Sequence, residues 1–152
     1  MTQVDFYILS DDSAAARLKT ACRLAEKAVQ RNLGVFLLAE AEEDARKLDE
    51  LLWTFAQNSF LPHRFAWDPA SEGVAEPIVI ALDERAQLDR DNGAAGADWG
   101  LMINLASRVP DTFGRYERLA EIVAAAPDAR ERGRERYRFY RERGYTLQTH
   151  QL

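Results

Sequence analysis

The chain has 152 residues, 20 Lys and Arg against 25 Asp and Glu, a net charge of −5 and a pI near 5.1. With 47 % hydrophobic and 10 % aromatic residues it is not a disordered polymer, and its acidity excludes wholesale coating of nucleic acid, leaving such contact only to a local basic patch. The single cysteine, Cys22, excludes an internal disulfide and a cysteine-rich metal cage, and no basic leader or apolar run of about 20 residues announces a signal peptide or membrane span.

One domain over 1–152 is expected from this length, in a reducing cytoplasm. Val4 to Leu9 is β-branched and aromatic and reads as an opening strand. Ser10-Asp11-Asp12-Ser13 supplies helix-start acceptors, and Leu18, Cys22, Ala25 and Val29 then recur at helical spacing. Asn32-Leu33-Gly34 stops that helix, with Gly34 suited to the left-handed conformation. Val35 to Ala39 is a continuous apolar run, as in a strand covered on both faces. A second helix is expected from Glu42 to Trp53, with Ala45, Leu48, Leu51 and Leu52 inward. Strand, helix, strand, helix implies a parallel βαβ unit and a three-layer, Rossmann-like α/β fold with a central parallel sheet.

Arg64-Phe65-Ala66 is a short candidate strand, and Ile78 to Ala81 and Leu101 to Leu105 are buried ones. The Gly- and Asp-rich segment 89–100 between the last two reads as a loop. Phe113, Tyr116, Leu119, Ile122 and Val123 predict a helix from about Thr112, broken by Pro127. A final basic helix is expected over about 129–143, before Gly144.

Catalytic chemistry finds little support. The first strand-to-helix turn carries two carboxylates and no glycine, and neither GxGxxG nor GxxxxGK[ST] occurs, so no nucleotide cofactor is expected. Gly93 and Gly96 lie beside Asp91 and Asp98, which would repel a phosphate. His63 and His150 are the only histidines and lack companions at ligand spacing, so no metal is expected either. Cys22 falls on an apolar helix face, and no motif orients a base toward Ser10 or Ser59.

The charge, by contrast, is unevenly placed. Residues 128–143 hold seven arginines and four acids, a local +3 against −8 for the preceding 127 residues. On a helix Arg130, Arg134, Tyr137, Arg138 and Arg141 share a face, setting an aromatic ring among guanidinium forks suited to an acidic segment that bears an apolar residue. The bland alternative is a solvated helix laced by pairs such as Glu131 with Arg134 and Glu135 with Arg138. Two others are a basic helix that contacts nucleic acid directly, and a small nucleotide-binding enzyme using the strand ends near Ser10 or Gly96. Trp53, Phe55, Phe60, Leu61 and Pro62 form a second cluster, either a core lid or a partner surface.

Four segments carry a resemblance across nearly the whole chain: Phe6-Tyr7-Ile8-Leu9, Leu48 to Trp53, Ser59-Phe60-Leu61-Pro62-His63, and Arg134 to Tyr145. In order and spacing they resemble the chi subunit family of the bacterial DNA polymerase III holoenzyme. The resemblance implies a non-catalytic accessory subunit of the clamp-loader assembly that serves DNA replication and contacts DNA mainly indirectly. It implies one partner in the acidic C-terminal tail of single-stranded DNA-binding protein, which ends Ile-Pro-Phe after an Asp-rich stretch. The tail-binding positions carried over are Val123, Arg130, Arg134, Tyr137 and Arg138. Some members have lysine at the Arg130 and Arg138 positions, keeping the charge but changing the hydrogen-bonding fork. A second implied partner is the psi subunit, at Trp53, Phe60, Leu61, Pro62 and His63, a surface that could also serve a DNA-repair helicase.

Overall fold

The computed structural model describes residues 1–11, 13–54, 61–67, 77–83 and 100–152. Strand β1 (Gln3–Ile8) leads into helix α1 (Ala14–Gln30), whose N-cap Ser13 accepts a hydrogen bond from the Ala16 amide at 3.1 Å. The left-handed residue that ends this helix is Asn32, at φ 61°, rather than Gly34; Asn tolerates that conformation, and the Leu33 amide closes back on the Ala28 carbonyl. Strand β2 (Val35–Leu38) and helix α2 (Glu42–Thr54) follow. Three acids in the first turn of α2 complement its macrodipole. Strands β3 (His63–Phe65), β4 (Ile78–Ala81) and β5 (Leu101–Asn104) precede a short 3₁₀ turn at Phe113–Arg115. Strand β6 (Arg118–Val123), helix α3 (Pro127–Glu142) and strand β7 (Thr146–Gln151) complete the described elements.

These strands form one sheet in the order β3-β4-β2-β5-β6-β1-β7, parallel at every pairing. Side-chain alternation divides the core into two layers. Leu37, Ile80, Ile103, Ala120 and Ile122 pack toward α1 and α2; Val4, Phe6, Phe36, Met102, Leu119 and Val123 pack toward α3 and the 3₁₀ turn. The expected three-layer parallel α/β architecture is therefore the observed one.

The helix predicted from Thr112 is not formed. One 3₁₀ turn stands there, and Arg118–Val123 is instead a strand buried between β5 and β1. Apolar residues at 119, 122 and 123 satisfy a helical period, but Ala120 and Ile122 line one face of the sheet while Leu119 and Val123 line the other. Pairing on both edges overrides the local pattern. Pro127 does not break a preceding helix; it opens α3 at the first position, where its missing amide hydrogen costs nothing. Strand β7, from a tail with no apolar run, is an element the sequence pattern did not announce.

Candidate functional site

Helix α3 lies over β6, β1 and β7, and Gly133 is what lets it settle there. A Cβ at Gly133 would stand 3.0 Å from both methyls of Val123, tighter than ordinary contact, so the helix axis sits close to the sheet. Beside this contact a groove of about 260 Å³ opens between helix and sheet. Its floor is Phe6, Ile8 and Val123, its helix wall Arg130, Gly133, Arg134 and Tyr137, and its outer lip Thr149 and Gln151 of β7. Tyr137 leans edge-on against Phe6 with ring centroids 5.2 Å apart, which fixes the ring at the mouth. An Arg130 guanidinium nitrogen donates to the Leu9 carbonyl oxygen at 3.3 Å, tying that side chain to the end of β1.

The groove thus unites Val123, Arg130, Arg134 and Tyr137, four of the five residues expected to act together. Arg138 is exposed on the next turn and does not line it. Phe6, Ile8, Thr149 and Gln151 went unforeseen, because their place in the groove depends on β1 lying between β6 and β7. A glycine inside a helix costs about 1 kcal/mol of propensity relative to alanine, and the close packing of Gly133 on Val123 accounts for it.

The bland reading of the basic helix loses its main support. Arg132, Arg134, Arg138 and Arg141 make no ion pair among the described residues, so the Glu131–Arg134 and Glu135–Arg138 pairs are not formed. Of the seven arginines only Arg136 is buried. Its Nε lies 3.0 Å from Glu121 Oε1, and Nη1 donates to the Ser107 carbonyl oxygen. Glu121 is fully buried and also accepts from Tyr140 Oη at 2.5 Å and Asn104 Nδ2 at 3.0 Å. Burial raises the Glu121 carboxyl above its usual range, opposed by the Arg136 charge and these hydrogen bonds. Burial, then the Glu121 charge, likewise raises the Tyr140 phenol. This buried set pins α3 to β6 and so fixes which residues of the helix face the groove.

Across the sheet, Trp53 is 50 % exposed at the end of α2, and its ring lies 4.4 Å from that of His63. His63 itself is buried, Nδ1 meeting the Leu61 carbonyl oxygen at 2.7 Å and Nε2 meeting Asp49 Oδ1 at 2.8 Å. Leu61 is buried and Pro62 half-buried, while Phe60 lies outside the described residues. Trp53, Leu61, Pro62 and His63 are therefore contiguous, with Trp53 the most exposed.

At the other strand ends, the Ser13 amide donates to Asp11 Oδ1 at 2.8 Å and holds that carboxyl below its usual range. A cavity of about 350 Å³ beside it includes Ser10, Asp11, Ser13, Lys19 and Arg23, placing a carboxylate where a phosphate would need amides. Asp12 and most of the Gly- and Asp-rich segment lie outside the described residues. Cys22 is fully buried, and burial pushes its thiol up to about 12. No cluster of three His, Cys, Asp or Glu side chains that could hold a metal occurs among the described residues. No described helix is long and apolar enough to cross a membrane.

The family model described as "DNA polymerase III chi subunit, HolC" matches residues 1–148. A DNA polymerase III subunit chi from Pseudomonas aeruginosa is 38 % identical over 152 residues, which is 100 % of this chain and 98 % of that protein. Subunits of the same name are 28 % identical in Haemophilus influenzae, over 95 % of this chain and 93 % of the relative, and 26 % identical in Escherichia coli, over 98 % and 97 %. Matched end to end by these bacterial replication subunits, the chain belongs to the DNA polymerase III chi subunit family.

Proposed function

We propose that the groove beneath α3 captures the acidic C-terminal tail of single-stranded DNA-binding protein and so links coated DNA to the replicative polymerase. The observation that carries this reading is an apolar floor and a cationic wall in one groove: Phe6, Ile8 and Val123 below, Arg130 and Arg134 beside Tyr137. A terminal aromatic residue gains from burial on that floor, and the acidic residues before it meet arginines that have no counter-charge among the described residues. Arg138 extends the positive field along the exposed helix surface rather than touching the buried end of the ligand. Each charge-assisted hydrogen bond to the ligand contributes about 1.5–3 kcal/mol. Several tails displayed on one coated strand raise the effective affinity further.

The second contact of this reading is the psi subunit, at the opposite end of the sheet. Trp53 supplies the exposed aromatic anchor beside Pro62, while buried His63 and Leu61 hold the two in place. Phe60, expected from the sequence at the same surface, lies outside the described residues. In this view residues 1–152 act as one cytoplasmic, non-catalytic unit with two partner surfaces, and DNA is reached through the first partner.

A titration with three ligands tests the reading: an acidic peptide ending Asp-Ile-Pro-Phe, the same peptide without the final Phe, and bare single-stranded DNA. The intact peptide is expected to bind, with at least tenfold loss on removing Phe or in Arg134→Ala and Tyr137→Ala. Binding of bare DNA with neither peptide bound would overturn tail capture and make α3 a nucleic-acid contact with steep salt dependence.

A further inference from the structure

Strand β7 ends the sheet, and among the described residues nothing pairs with its outer edge. The Leu152 amide donates to the Ile8 carbonyl oxygen, so in this parallel ladder the amides of His150 and Gln148 also face β1. Leu147, Thr149 and Gln151 therefore turn their N–H and C=O groups outward. An unpaired edge is normally blunted by lysine, proline, a bulge or a covering element. The segment Thr146-Leu147-Gln148-Thr149-His150-Gln151 contains no lysine and no proline, and its register with β1 runs unbroken from Gln3↔Thr146 to Ile8↔Gln151. Thr149 and Gln151 also form the lip of the groove, so the open edge and the groove are one continuous surface.

We propose that the acidic stretch of the captured tail adds to the outer edge of β7 as an eighth strand, delivering the apolar end of the peptide into the groove. This rests on tail capture as the function of the groove and specifies how the main chain of the ligand is held. The committed occupant is an acidic peptide because the arginines at this surface are the complementary charge. Arg130 and Arg134 line the groove, and neither Arg134 nor the neighbouring Arg138 and Arg141 has an ion-pair partner among the described residues. Main-chain hydrogen bonds to Leu147, Thr149 and Gln151 supply binding independent of side-chain identity, and alternate peptide side chains on the α3 side lie along the row of Thr149 and Gln151. The penultimate proline of such a tail has no amide hydrogen to donate, which ends the added strand where the apolar end turns inward.

The test uses the full chain and a peptide Asp-Asp-Asp-Ile-Pro-Phe with a free carboxylate, followed by amide hydrogen exchange and binding titration. Bound peptide is expected to slow exchange at Leu147, Thr149 and Gln151 by at least tenfold. Thr149→Pro removes an outward amide without breaking the β1 ladder and is expected to weaken binding at least tenfold beyond Thr149→Val, which changes the same groove-lip side chain but keeps the amide. Unchanged exchange at all three amides, with full affinity in Thr149→Pro while Arg134→Ala still abolishes binding, would overturn strand addition and leave tail capture standing. No binding by the parent chain would defeat both. Concentration-dependent dimerisation that protects the same amides without peptide, and that peptide does not displace, would assign the edge to a second copy and overturn the proposal.

Discussion

Replacing Arg136 with methionine keeps most of the aliphatic packing of the side chain and deletes its charge, leaving Glu121 with no cationic partner among the described residues. In the parent, Glu121 has no solvent exposure and the Arg136 side chain only 8 %. Breaking one side of such a pair costs about 3–5 kcal/mol, because the remaining charge stays desolvated. Against a typical total of about 5–15 kcal/mol, this is a large share of the stability. In urea denaturation it moves the midpoint down by about 1–5 M for a slope of about 1–3 kcal/mol/M. Arg136→Met with Glu121→Gln removes the orphaned charge as well and is expected to recover much of the loss.

The pH dependence has a definite sign. The Glu121 carboxyl is raised in the folded state, so that state binds more protons than the unfolded chain between the ordinary carboxylate range and the raised value. Its contribution to stability therefore falls as pH rises through that window, by at most about 1.4 kcal/mol per pH unit. Without Arg136 the window widens upward, so the deficit of Arg136→Met is expected to shrink as pH is lowered from 8 toward 5. A single-variant loss below about 1 kcal/mol, or a double variant that adds the two single losses without coupling, would refute the view that this pair anchors α3.

Two further substitution and labelling experiments probe the neighbourhood. Gly133→Ala gains about 1 kcal/mol of helix propensity and loses about 1–3 kcal/mol to crowding against Val123, so stability is expected to drop by about 0–2 kcal/mol. The added methyl also enters the groove, so affinity for the acidic peptide should fall at least tenfold; a thermal melt and a titration read the two effects separately, and full affinity would place the ligand elsewhere. Cys22 is expected to resist a thiol reagent at pH 8 until the chain is unfolded in urea, as followed by mass spectrometry, and rapid labelling of the native protein would contradict its burial. Because its thiol pKa is raised from 9.0 to about 12, its contribution to stability is lost as pH climbs through that interval.

Much of the molecule was legible in the sequence. The apolar run Val35 to Leu38, the Ser13 cap and the inward Leu48 and Leu52 announce their elements through period and composition, because each is dominated by its own burial or capping. The chemistry of the site was equally visible, since arginines three and four residues apart on a helix share a face whatever that helix packs against. What stayed hidden depended on partners distant in the chain. Arg118–Val123 is a strand because β5 and β1 flank it, and Glu121 within it is tolerated only because Arg136, Tyr140 and Asn104 converge on it. Thr146–Gln151 has no apolar run and becomes a strand by pairing with β1, more than 130 residues away in sequence. The groove belongs to this second class. Sequence alone set its arginines and tyrosine, but its floor and lip exist only because a parallel sheet brings β6, β1 and β7 side by side beneath a helix that Gly133 lets come close.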